Sequence, residues 1–258
     1  IRAIRVAQCL LDVSAVFAVF MLARLWLRPS MALLAALVVA LNPFLIYFCG
    51  LILTETLFTA MLVWGMYCLT RRATIAWIVG GILLACAILV RPAGIALPII
   101  VGILAAFVNP ATGIPYQRKW PLPVGTTMLL LTLLVLFPWG WRNERVLGRW
   151  IWTSTNAGIT AYDGFNPDAS GASDQRGIDR MPQLRSMSEI QRDRYLADQA
   201  GMFVRRNPRC ALDLAGIKIA RTWSPAPLSE KFSRPLYIAI GLCFALPIDL
   251  LMLIGLFG

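Results

Sequence analysis

The chain is laid out as long apolar runs separated by short polar turns, interrupted by one extended polar stretch at 140–235. The apolar runs last about 15 to 22 residues and do not alternate, which fits helices crossing about 30 Å of hydrocarbon better than strands. The pattern predicts about seven spans, at 6–22, 31–46, 54–69, 75–90, 94–108, 124–138 and 236–257. Arg24, Arg28 and Pro29, then Arg71 and Arg72, then Arg91 and Pro92, and finally NPATGIPYQRKWPLP at 109–123 punctuate them. The expected fold is therefore all-α, a polytopic membrane helical bundle. Its parts are a bundle of about six spans over 1–139, an outer-face segment over 140–235 and a last span over 236–258.

The polar stretch opens on Phe137, Trp139 and Trp141, aromatic residues of the kind that sit at a membrane boundary, and Arg142, Asn143, Arg145 and Arg149 follow. Small, turn-forming residues from Thr153 to Pro167 come next and are expected to form neither a regular apolar helix nor a simple strand. An ordinary extramembrane loop is the alternative reading. An amphipathic helix is predicted over 186–207, with Ser186 as cap, Glu189 three residues on, and Leu196, Ala200 and Phe203 on one face. A second helix is predicted over 209–222, and both are read as architectural.

Composition agrees with the pattern. Hydrophobic residues make up 59% and charged residues 14%, with a mean hydropathy of +0.70, beyond what a soluble domain carries. The first residue is Ile1 and the last apolar run ends at Gly258, so a fragment of a longer chain is expected. The six cysteines are scattered without CxxC spacing and read as small core residues. Histidine is absent, which removes His bases and His-ligated metal sites; no cofactor is identified and a divalent metal is not excluded. The net charge of +11 is split between short turns and one loop, with no basic helix, so anionic membrane lipid rather than nucleic acid is the expected partner.

Charge also orients the spans. Arg24, Arg28, Arg71, Arg72, Arg118 and Lys119 stand without acids at alternate turns, against Arg91 and Glu55 at the others, so the first set is expected in the cytoplasm and the Phe137 stretch outside. All acids except Asp12, Glu55 and Asp249 lie within 140–235. Asp12 is expected to face the bundle as a partner for Arg91 or Gln8, because a carboxylate facing lipid costs several kcal/mol. Glu55 is either a helix-start acid favoured by the dipole or a functional carboxylate, the second being preferred because Thr54 can supply a neutral cap.

The segments NPFLIYFCGLILTETLF, GILLACAILVRPAG, FPWGWRN, TSTNAGITAYDGFNP and RRNP, in that order and spacing, resemble the polytopic glycosyltransferases of the protein O-mannosyltransferase and aminoarabinose-transferase superfamily, often called family 39, with the GT-C fold. The resemblance implies transfer of a sugar, with inversion, from a polyprenyl-phosphate carrier to a lipid, glycan or protein acceptor. It also implies a bacterial inner-membrane location with the site facing the periplasm. Glu55 then corresponds to a secondary carboxylate, the main catalytic acid being expected upstream of Ile1. Arg91 matches the arginine of an RP motif, and Arg142 and Asn143 match an RN pair. Asn156, Tyr162, Asp163 and Asn166 fall on a substrate-contacting loop, where Asp163 to Asn166 departs from the Gly-Asn-Asn expected. The rival readings are a carrier or flippase for a lipid-linked or anionic solute, or a non-catalytic scaffold; paired repeats typical of carriers are not evident.

Overall fold

The computed structural model describes residues 1–71, 73–101, 124–226, 228, 232 and 234–257. They form two compact units, Ile1–Thr153 and Ser154–Gly258, and the described residues contain helices and no strand.

The first unit holds α1 (Arg2–Ala23), α2 (Pro29–Ala40), α3 (Pro43–Gly50), α4 (Glu55–Leu69), α5 (Thr74–Val90), a 3-10 turn (Pro92–Ala96) and α6 (Val124–Leu147). Helix α1 packs on α2, α3 and α4, while α4 packs on α5 and α5 on α6. The packing follows residue size in a way suited to lipid. Ala15, Ala18, Ala32, Ala36, Ala60, Ala85 and Ala87 are buried, whereas Val6, Leu10, Val13, Phe17, Leu33 and Leu37 are exposed. Small residues let helix backbones approach in a solvent as apolar as their own side chains. The α4/α5 contact is the clearest case, since a β-carbon on Gly80 would lie 2.9 Å from the carbonyl oxygen of Gly65.

Three sequence expectations change here. The span expected at 31–46 is two helices, α2 and α3, bent by 49°. Pro43 disfavours helical backbone in Asn42, which is extended, and the Asn42 side chain accepts from the backbone N–H of Phe44 at 2.9 Å and of Leu45 at 3.3 Å, starting a new helix. The span expected to stop at Pro138 continues as α6 to Leu147, with Pro138 inside it. Side-chain pairs three and four residues apart sustain its last turns: the Arg142 guanidinium lies 5.1 Å from the Trp139 ring centroid and that of Arg145 4.0 Å from Trp141. Of the span expected at 94–108, helix is seen as far as Val101; its remainder and Arg72, Arg118 and Lys119 lie outside the described residues. Among the described residues α1 and Pro235–Gly255 are each long and apolar enough to cross a membrane, as is the bent α2/α3 pair if taken as one span.

The second unit contains α7 (Ala157–Gly164), α8 (Arg176–Asp179), a 3-10 turn (Pro182–Ser186), α9 (Glu189–Arg206), α10 (Pro208–Thr222) and α11 (Pro235–Phe257). Contrary to expectation, the small-residue run therefore does include a helix, α7. Glycine makes it possible: a β-carbon on Gly158 would fall 1.8 Å from the carbonyl oxygen of Asp193 on α9, and the Gly158 N–H donates to Asp193 Oδ1 at 2.6 Å. The cap of α9 is Ser188 rather than Ser186, forming a capping box with Gln191. Ile178, Leu184 and Leu196 make the core, with Ile159, Tyr162, Met181, Met187 and Tyr195 packed around it.

Candidate functional site

In the first unit, Glu55 opens α4 and Arg91 follows α5 in extended conformation. The end of α5 thus hands Arg91 to the start of α4, where its Nη1 lies 2.5 Å from Glu55 Oε1 and 3.4 Å from Thr54 Oγ1. Thr54 does not cap α4 as expected: its backbone is already helical, and its hydroxyl oxygen accepts from Arg91 instead. The second carboxylate oxygen of Glu55, Oε2, is buried and has no hydrogen-bond partner among the described residues.

Gln8, buried on α1, reaches the same corner by donating from Nε2 to the carbonyl of Leu53 at 2.9 Å, and its own Oε1 is also buried without a partner. Two open acceptors thus belong to side chains tied to the Leu53–Glu55 corner. Asp12 takes neither expected partner, because Arg91 is committed to Glu55 and Gln8 to Leu53. Nor are all the cysteines solitary, since the Sγ atoms of Cys9 and Cys49 lie 3.3 Å apart.

A second cluster of the same unit surrounds the last turns of α6. Arg142 is exposed, stacked on Trp139, and donates to Asn143 Oδ1 at 3.0 Å. Asn143 is 3% exposed and donates to the Ile151 carbonyl at 2.9 Å, so both ends of its amide are engaged. Trp139 Nε1 donates to the Thr153 carbonyl at 2.8 Å. The chain after α6 is therefore folded back on the helix, and the Arg142 guanidinium lies over an indole. No hydrogen bond or ion pair among the described residues joins this cluster to Glu55 and Arg91.

In the second unit, Tyr162, Asp163 and Asn166 come together around a cavity of about 450 Å³, together with Asp168, Arg176 and Arg180. Asn166 donates to the Tyr162 carbonyl at 2.7 Å and accepts from the Asp168 N–H at 2.8 Å, which fixes the turn after α7. Asp163 Oδ1 accepts from the Asp174 N–H at 2.8 Å. Arg176 donates from two nitrogens to the two Asp174 oxygens, at 2.8 and 2.6 Å, and this holds the Asp174 carboxyl at about 2. Burial pushes the Tyr162 phenol up, with the Asp168 carboxylate adding to the effect. Asn156 sits at the start of α7 and is not among the lining residues. Asp168, Asp174, Arg176 and Arg180 escaped the sequence reading; the short Asp174-Gln175-Arg176 spacing was the available signal. Among the described residues no group of three or more Cys, Asp or Glu side chains is placed to hold a metal ion.

Compared with known proteins, residues 1–141 match the sequence model of the family described as dolichyl-phosphate-mannose-protein mannosyltransferase. No curated protein and no solved structure matches the chain. The matched region includes Glu55 and Arg91 and stops one residue before Arg142.

Proposed function

We propose, because the chain belongs to the dolichyl-phosphate-mannose-protein mannosyltransferase family and is therefore an integral membrane glycosyltransferase, that it moves a sugar from a polyprenyl-phosphate carrier to an acceptor hydroxyl outside the cytoplasm. The reaction needs few groups. The hydroxyl proton passes to a carboxylate, and the hydroxyl oxygen bonds the anomeric carbon on the face opposite the phosphate. The carbon–oxygen bond to phosphate breaks with its electron pair, so the sugar inverts and the carrier phosphate leaves as an anion.

The observation that carries this reading is the divided state of Glu55. One oxygen is fixed by Arg91 and the other is buried and unpartnered. A buried acceptor left open calls for a donor, and an acceptor hydroxyl supplies one. Glu55 is thus a supporting carboxylate that orients the hydroxyl, and Arg91 keeps it aimed. Arg142, stiffened on Trp139, offers a planar fork to the donor phosphate, which suits arginine better than lysine. Asn143 holds Arg142 in place. Within the second unit taken by itself, the cavity lined by Tyr162, Asp163 and Asn166 offers polar groups suited to sugar hydroxyls. The setting proposed is a bacterial inner membrane with the site facing the periplasm.

The break at Asn42–Pro43 favours one rival, since interrupted helices are common in carriers. Both readings are tested with the purified protein in proteoliposomes, using radiolabelled polyprenyl-phosphate sugar and the matching nucleotide sugar. Transfer from the lipid-linked donor alone, weakened by Arg142→Ala and only partly restored by Arg142→Lys, is the expected result. Transfer from the nucleotide sugar alone would overturn the donor assignment, and movement of the lipid-linked sugar across the bilayer without product would support the carrier.

A further inference from the structure

A second cavity lies in the second unit, between α7 and α10, and shares only Asp163 and Ala172 with the lining of the first. It measures about 360 Å³ and is lined by Thr160, Asp163, Ser173, Lys218, Arg221 and Thr222, among others. Lys218 and Arg221 stand three residues apart on α10, so they project from one face. Both are half-buried, and neither has a carboxylate in ion-pair range among the described residues.

The lysine is lodged with some precision of shape. Its Nζ lies 4.5 Å from the centroid of the Phe165 ring, and a β-carbon on Gly164 would stand 2.1 Å from that nitrogen. The ammonium therefore lies in the space beside Gly164, with the aromatic ring on one side and the cavity available to its N–H groups. Both threonine hydroxyls are used, Thr160 donating to the Asn156 carbonyl at 2.9 Å and Thr222 to that of Lys218 at 2.8 Å. Ser173 remains as the hydroxyl donor. Asp163 brings one carboxylate, but its Oδ1 is already bound by the Asp174 N–H. Two cations against one engaged acid leave the cavity positive.

We propose that this cavity is an oxyanion site that takes a phosphate monoester, carried either by a membrane lipid headgroup or by a soluble sugar phosphate. Arg221 supplies a planar fork for two phosphate oxygens, Lys218 a point charge, and Ser173 a hydroxyl hydrogen bond. Half-burial makes such contacts worth more than exposed ion pairs. The site is read by binding and not by turnover, so its failure and the failure of the transferase reading are separable.

The test is titration calorimetry of the full chain in phosphatidylcholine nanodiscs with inorganic phosphate, and separately with short-chain phosphatidic acid. Lys218→Ala and Arg221→Ala should each weaken binding about tenfold. Gly164→Ala, which keeps both charges but fills the lysine's space, should also weaken it. Arg209→Ala removes an exposed charge from the same helix outside the cavity and should change nothing. Lys218→Gln and Arg221→Gln, which keep the aliphatic stems, replace the alanine variants where those do not fold. Tighter binding of phosphatidic acid assigns a lipid headgroup, and tighter binding of inorganic phosphate a soluble ester. Absence of binding in both arms, or an equal loss on Arg209→Ala, would overturn the site.

Discussion

Glu55 and Arg91 make a pair in which one carboxylate oxygen is spoken for and the other is not. Glu55→Gln keeps the shape but turns one end of the group into a donor. Its carbonyl would stay with Arg91, so the amide NH2 would stand where Oε2 stood and face an acceptor hydroxyl donor to donor. Transfer should fall at least about tenfold, with thermal unfolding nearly unchanged, since a helix-dipole contribution is only about 0.3 to 1 kcal/mol. Activity within about fivefold of wild type would return Glu55 to a helix-start role. The Asp174–Arg176 pair makes a pH prediction. The Asp174 carboxyl sits at about 2 in the folded chain, below its ordinary value of 3.8, because Arg176 binds its charged form. The folded state is therefore favoured by this pair above pH 3.8, and that advantage disappears as pH falls through about 2. In Arg176→Ala the Asp174 carboxyl should titrate higher, moving toward its ordinary value while the backbone N–H of residue 176 still lowers it, as followed by NMR of its side-chain carbon. An unchanged midpoint would mean that Arg176 does not hold it.

At the scale of elements, the α7/α9 contact depends on the absence of a side chain at one position. Gly158→Ala would drive a β-carbon into the backbone of α9, which cannot yield as a flexible side chain can. It should lower the unfolding temperature of the second unit far more than Ser188→Ala, whose lost cap is worth about 1 kcal/mol. Equal effects in a thermal melt would contradict the close packing. These elements also show what the sequence could carry. Because a lipid-facing helix is apolar on nearly every side, apolar run length located α4, α5 and the end of α1 to within a residue, though α1 starts at Arg2 rather than at residue 6. Length could not show the break at Asn42, which depends on one amide capping the next helix, or the passage of α6 through Pro138, which depends on Arg142 and Arg145 stacking on Trp139 and Trp141. Helix α7 was hidden because its residues have the composition of a loop and are held by a glycine contact with α9, far away in sequence. At the candidate site, Glu55 and Arg91 stood out as rare charges at the ends of apolar runs. Gln8 did not, because a neutral amide inside such a run carries no signal until its partner carbonyl is seen.

For the whole molecule, the first unit buries many alanines beside a few large side chains such as Leu84 and Ile88 while leaving many leucines, valines and phenylalanines exposed, a surface suited to a medium that solvates leucine. The orientation in that medium follows from charge. Arg24 and Arg28 follow α1, and Arg71 follows α4, all without a neighbouring acid, whereas the corner between α3 and α4 carries Glu55. Basic turns favour the cytoplasm, so the proposed orientation has the Glu55 corner and the chain after α6 on the opposite side. Cys210 provides a native reporter, being exposed on α10 within the polar part of the second unit, while Cys9 and Cys243 lie in long apolar helices. A membrane-impermeant maleimide applied to intact cells should label Cys210, and also a cysteine introduced as Asn156→Cys. A cysteine introduced as Arg71→Cys should react only after permeabilisation. The Cys210→Ser protein supplies the background and should lose the outer signal. Labelling of Cys210 and Asn156→Cys only after permeabilisation would reverse the orientation. The Glu55 corner would then face the cytoplasm, where nucleotide sugars are available and a lipid-linked donor would have no advantage.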